Sequence, residues 1–147
     1  MPASFPQTGL TVSAALPAAA GAGFAGDNVH LMLRIEGFAA LAAALALYSR
    51  GGFSWPAFTA LFLVPDLAML AYLAGPRWGA LGYNLAHTYA LPLALALTGF
   101  AAGSRFAAAC GLIWIAHIGM DRALGYRLKY PTAFGDTQLG RVGSARR

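Results

Sequence analysis

The chain has 147 residues, of which 59% are hydrophobic and only 10% charged, with a formal net charge of +5. A soluble domain carries roughly 25% charged residues, so a water-facing surface is hard to assemble from this composition, and the length suffices for one domain. The basic residues lie between and beyond the apolar runs and form no continuous basic face, a distribution that argues against nucleic acid and for a membrane.

Residues 1–30 are rich in Ala, Gly and Pro and lack the positively charged start that a signal peptide needs before its apolar core. They read as a flexible tail. Within 31–130 come four apolar segments, at about 32–49, 55–74, 79–99 and 104–126. Each approaches the roughly 20 residues that a membrane-spanning helix requires. The connections are a few residues long, so consecutive helices should be antiparallel neighbours. The expected fold is all-α, a four-helix transmembrane bundle, followed by a polar basic tail over 131–147. The lone cysteine, Cys110, falls in an apolar run and reads as a small packing residue.

An even number of spans puts both termini on one side of the membrane. That side collects Arg34, Arg77, Arg127, Lys129, Arg141, Arg146 and Arg147, against Arg50 and Arg105 on the other. The positive-inside rule then places both termini in the cytoplasm.

Against this apolar background, Glu36, Asp66, His87, His117 and Asp121 stand inside the spans, with Asn84 beside them. A charge at the centre of a spanning helix costs at least about 2.5 to 3.5 kcal/mol on insertion scales, and marks a functional position by default. At about 1.5 Å of rise per residue, Asp66 and the two histidines share a level roughly 12 Å from the cytoplasmic end. Asn84, His87, Thr88 and Leu91 share one helix face by their spacing, and so do Cys110, Trp114, His117 and Asp121. Pro65 removes a backbone donor just before Asp66 and leaves the carbonyl near Leu61 without its usual partner. Arg122 stands where it can turn inward and pair with Asp121 or Glu36. Tyr126, Arg127 and Tyr130 read as interfacial anchors.

The segments LRIEGFAALA, PDLAMLAYLAGPRWGALGYNLAHTYALP and WIAHIGMDRALGYRLKYPTAFGDTQLG, covering roughly residues 31–141, closely resemble a family of small bacterial integral membrane proteins known as domain-of-unknown-function family 4260. The resemblance implies a four-helix protein of the bacterial inner membrane and brings no settled activity. The family more often carries a histidine where Gln138 stands here, so the resemblance transfers no ligand or proton-carrying role to Gln138.

Three functional readings compete. In the first, His87 and His117 with Asp66 as the preferred third ligand, or Asp121 in its place, hold a divalent metal, with zinc the favoured ion. The remaining carboxylate, Asp121 in the preferred set, then acts as general base, with Glu36 and Arg122 beside it, in the hydrolysis of a lipid-like substrate. In the second, the same residues relay protons or cations, or the two histidines ligate a haem, the less favoured cofactor. In the third, the polar network only holds the bundle together. Membrane lipids are the expected partners, and the Gly- and Ala-rich faces would permit a homo-oligomer. Phosphate-binding glycine loops, Cys-x-x-Cys pairs and nucleophile-elbow serines are absent from the sequence.

Overall fold

A computed structural model of the chain describes residues 22–129, 136–137 and 140–141. The expectations for the first 21 residues, for Tyr130, Gln138, Arg146 and Arg147 lie outside the described residues. The described chain is helical: α1 (Ala22–Arg50), α2 (Trp55–Leu61), a 3₁₀ helix (Val64–Ala74), α3 (Pro76–Ala86), α4 (Ala90–Ala101) and α5 (Arg105–Leu124). A two-residue antiparallel pairing, Asp136–Thr137 with Gly140–Arg141, follows in the C-terminal segment. α1 begins at Ala22, upstream of the expected boundary near residue 31.

Three stretches are long and apolar enough to cross a membrane: Asn28–Arg50, Trp55–Ala74 and Arg105–Leu124. The expected continuous helix over 79–99 is instead two short helices, α3 and α4, separated by His87–Tyr89. Pro92 supplies the reason. Its ring nitrogen cannot donate to the carbonyl four residues back, at Thr88, and its ring crowds that carbonyl. Pro65 acts in the same way on Leu61, where α2 ends before the chain tightens into the 3₁₀ helix. Two of the four helical passes are therefore interrupted four residues before a proline.

α5 is the axis of the bundle. Its buried residues run from Ala108 through Gly119 on almost every side, because α1 packs along one flank and α4 along the other. The pairings run antiparallel. On α1, Gly37 meets Arg122 and Leu41 meets Gly119; on α4, Ala96 meets Gly111 and Gly99 meets Ala108. The 3₁₀ helix pairs separately with α3, Tyr72 lying over Gly79 and Ala71 over Gly82. Apolar packing is richest away from the polar end, where Tyr48, Leu112 and Ile113 gather Phe53, Phe58 and Phe62 around them. There the Tyr48 hydroxyl donates to the Ser54 carbonyl at 2.6 Å, and Arg105 donates to the Gly51 and Gly52 carbonyls at 2.9 and 3.1 Å.

At the other end, α5 stops at Gly125, whose φ of 99° lies in the left-handed region that favours glycine. The segment beyond it turns back across the bundle. Arg127 reaches His30 of α1 at 3.1 Å, and the backbone of Lys129 is held by Asn84 of α3.

The α1–α5 seam generates a stability prediction. A Cβ at Gly119 would stand 2.7 Å from the Leu41 nitrogen and 2.8 Å from the Gly37 carbonyl oxygen, and backbone cannot yield cheaply. Gly119→Val is expected to destabilise the detergent-solubilised protein by about 1–3 kcal/mol or more through overpacking. Leu97→Ala, on an exposed face, serves as the control in the same unfolding titration and should change little.

Candidate metal centre

The two helix interruptions face α5 at one level, and the side chains they carry converge there. Asp66 follows the first interruption, and His87 caps α3 at the second. His117 and Asp121 stand one turn apart on α5, so both project to one side. Each of the four offers one ligating atom, and these atoms all lie within 4.8 Å of one another. Nε2 of His87 is 3.3 Å from Nε2 of His117, 3.4 Å from Oδ1 of Asp66 and 3.5 Å from Oδ2 of Asp121. Nε2 of His117 is 3.5 Å from Asp66 Oδ1 and 3.9 Å from Asp121 Oδ2. Both histidines are buried, whereas the Asp66 side chain is 40% exposed and forms the open side of the cluster.

The surrounding contacts orient these donors. Nδ1 of His87 lies 2.9 Å from the Tyr83 carbonyl oxygen. That oxygen only accepts, so Nδ1 carries the proton and Nε2 presents its lone pair to the cluster. The Tyr83 ring also stacks on His87 at 3.9 Å, and its hydroxyl interacts with the Asp121 carboxylate. His117 is held by shape instead. Phe62 packs its edge against the ring at 5.4 Å, and Nδ1 is buried without a hydrogen-bond partner. The scaffold thus fixes the tautomer of His87 and leaves that of His117 to whatever its Nε2 meets.

The interruption between α3 and α4 exposes carbonyls that an apolar interior would leave unpaired, and α5 supplies donors for them. Trp114 Nε1 donates to Ala86 O at 2.6 Å, and Arg122 Nη2 donates to His87 O at 3.4 Å. Asn84 is occupied elsewhere: its amide donates to Lys129 O at 2.9 Å and its carbonyl accepts from Lys129 N at 2.8 Å. The Lys129 ammonium then sits 4.5 Å above the Tyr83 ring. Burial pushes that ammonium below its usual range, against the pull of the Asp121 and Asp66 carboxylates.

Of the residues singled out in the sequence, Asp66, His87, His117 and Asp121 meet in one place, with Arg122 at the edge. Glu36 does not join them. It is exposed on α1, one position before Gly37, which packs on Arg122. A step of one residue turns a side chain about 100° around a helix. Asp121, expected beside a three-ligand set, stands within the set. Tyr83, Trp114 and Phe62 complete the surroundings. The signal for Tyr83 was its position one turn before His87, on the same helix face.

The sequence profile of the DUF4260 family, described as a domain of unknown function, matches residues 30–142. The chain belongs to that family. No curated protein and no solved structure matches it.

The carbonyl capping by α5 can be tested directly. Trp114→Phe keeps an aromatic ring but, besides losing part of the indole volume, removes the only donor to Ala86 O among the described residues. A buried acceptor left unpaired costs about 1–3 kcal/mol, so thermal unfolding in detergent should shift down accordingly; an unchanged midpoint would show that Ala86 O finds another donor.

Proposed function

We propose that this chain is an integral membrane protein, with cytoplasmic termini, that binds a divalent cation between Asp66, His87, His117 and Asp121 as the centre of a hydrolytic site for a lipid-like substrate. One observation carries the reading. Four side chains able to offer an electron pair converge on one point, and the Tyr83 carbonyl commits the proton of His87 to Nδ1, so that His87 Nε2 meets Asp66, Asp121 and His117 as a lone pair. A positive centre is what such a set lacks, and the spacing suits a metal ion. Tetrahedral zinc, with bonds of about 2.0–2.2 Å, needs donors about 3.3–3.6 Å apart, and the distances to the histidine nitrogens run from 3.3 to 3.9 Å. Two imidazole nitrogens with the Asp66 carboxylate favour zinc over magnesium or calcium, which take oxygen ligands in larger number, and leave the fourth position for water.

Haem fits poorly. A macrocycle needs a planar slot between its axial histidines, and here two carboxylates occupy that level while the ring nitrogens stand 3.3 Å apart.

Within the set the roles divide by distance and exposure. Asp66 Oδ1 lies about equally close to both histidines, as a third ligand should. Asp121 Oδ2 is farther from His117, and its carboxylate interacts with the Tyr83 hydroxyl, which suits a group that stands beside the ion and takes a proton from a water at the site. A bound zinc ion would supply Lewis acidity and lower the pKa of adjacent water. The half-exposed Asp66 leaves a lateral entry at the level of the apolar surface, the direction from which a lipid would arrive.

The interrupted helices favour one second reading, cation translocation, because transporters carry ion sites on discontinuous helices. Against a through-path, the far half of the bundle presents Ala44, Ala96, Leu112, Ile113 and Ile115 around α5.

Elemental analysis of protein purified without chelators tests the proposal. The expected result is close to one zinc per chain, lost in both His87→Ala and His117→Ala; full metal content in both variants would sink it. Asp121→Asn separates the two carboxylates. It is expected to retain most of the ion while hydrolysis of micellar ester substrates falls about 100-fold or more, the usual loss with a general base.

A further inference from the structure

Three arginines, Arg34, Arg122 and Arg127, lie at the polar end of the bundle, and among the described residues none of them forms a salt bridge with a carboxylate. Arg34, on α1, donates through Nε to Ala123 O at 2.8 Å, capping a terminal carbonyl of α5. Arg122 leaves α5 where Gly37 of α1 allows the backbones to approach. Arg127, beyond the turn at Gly125, lies 3.1 Å from His30, one turn before Arg34 on α1. Among the described residues, every ion pair involves a histidine of the cluster, and none reaches an arginine. Glu36, two residues from Arg34, makes none. The three charges feel one another: burial and then the like charges of Arg34 and Arg122 hold the Arg127 guanidinium below its usual range.

Arg34 is exposed and Arg122 and Arg127 are partly buried, and like charges held near one another repel until an anion joins them. Each guanidinium has five N–H donors and uses one in the contacts described. Planar forks of this kind match phosphate and carboxylate oxygens in pairs, and three of them suit the several oxygens and higher charge of a phosphate. The surface beside them is apolar. Leu31, Met32, Ile35 and Phe38 flank Arg34 on α1 and are more than half exposed, as is Leu124 at the end of α5.

We propose that Arg34, Arg122 and Arg127 form a seat for a phosphate group, which makes the ligand of the neighbouring cluster a phosphorylated amphiphile whose chains lie along the exposed face of α1. This rests on the hydrolytic reading for the ligand's purpose, but the seat itself is independent of any metal. Arg122 joins the two places, since its guanidinium also touches the His87 carbonyl. Arg34 and Arg127 position the head group and touch none of the four ligating side chains.

The test is equilibrium binding to the full chain in neutral detergent micelles. The probes are a short-chain phosphatidate, the corresponding diacylglycerol, and inorganic phosphate. Saturable binding of the phosphatidate over the diacylglycerol is expected, weakened about 10-fold or more in each of Arg34→Gln and Arg127→Gln. Arg34→Lys and Arg127→Lys, which retain charge but lose the fork, should recover part of the loss and report on folding. Inorganic phosphate binding with the same sensitivity would support the seat and assign it to free phosphate. Equal binding of phosphatidate and diacylglycerol, or phosphatidate binding unchanged in both glutamine variants, would overturn the proposal. Repeating the titration in His87→Ala/His117→Ala separates the two readings. Binding retained there supports the seat whatever becomes of the metal, and zinc in the wild type without phosphate binding overturns the seat alone.

Discussion

Two imidazole nitrogens 3.3 Å apart, each facing the same two carboxylates, concentrate polar groups that an apolar interior tolerates only when a shared proton or a cation lies among them. Much of the surrounding structure serves that constraint. The carbonyl of Tyr83 commits the proton of His87 to the far side of the ring, so the cluster cannot relax by a simple tautomer change at that residue. Tyr83 restrains Asp121, Phe62 restrains His117, and the interruption at His87 is held by two donors from the same helix that carries the other half of the site.

The bundle divides its labour accordingly. α5 and α1 meet through Gly37 and Gly119 at distances that admit no side chain, and this close seam fixes the depth and rotation of His117 and Asp121. The other two ligands sit on interrupted passes that pair with each other. The chain beyond α5 then crosses from His30 to Asn84, closing that end of the bundle and leaving the flank at Asp66 as the open approach. Where side chains pack backbone to backbone the site is rigid, and where it opens it is bordered by the 3₁₀ helix.

Much of this was legible in the sequence, for reasons that particular residues make plain. Charged and imidazole side chains are so costly in apolar segments that their positions alone marked the cluster, and counting rise per residue brought Asp66, His87 and His117 to one level. Pro65 strands the carbonyl near Leu61, yet 55–74 reads as one helix in the sequence, and the chain instead ends α2 at Leu61 and tightens to 3₁₀ from Val64. The same reasoning at Pro92 would have divided the third segment, but strong hydropathy over 79–99 masked it. Glu36 was carried into the site by type and depth, and rotation around α1 removed it. The contacts of His30 with Arg127 and of Asn84 with Lys129 join residues 97 and 45 positions apart, and no local periodicity encodes such pairings.

The winding of the 3₁₀ helix acts as a ruler. Asp66 precedes the end of that helix at Ala74 by eight residues, and His87 follows the start of α3 at Pro76 by eleven. In two α-helices those legs would differ in length by about 4 Å, and the carboxylate would hang below the imidazole. A 3₁₀ helix rises about 2.0 Å per residue, so eight residues reach about 16 Å, level with the eleven α-helical residues opposite. The hairpin closes on its ligands because its two legs have different pitches. Rewinding the descending leg to α would withdraw Asp66 axially by about 4 Å from the level of His87, so the winding of that single segment sets whether carboxylate and imidazole meet.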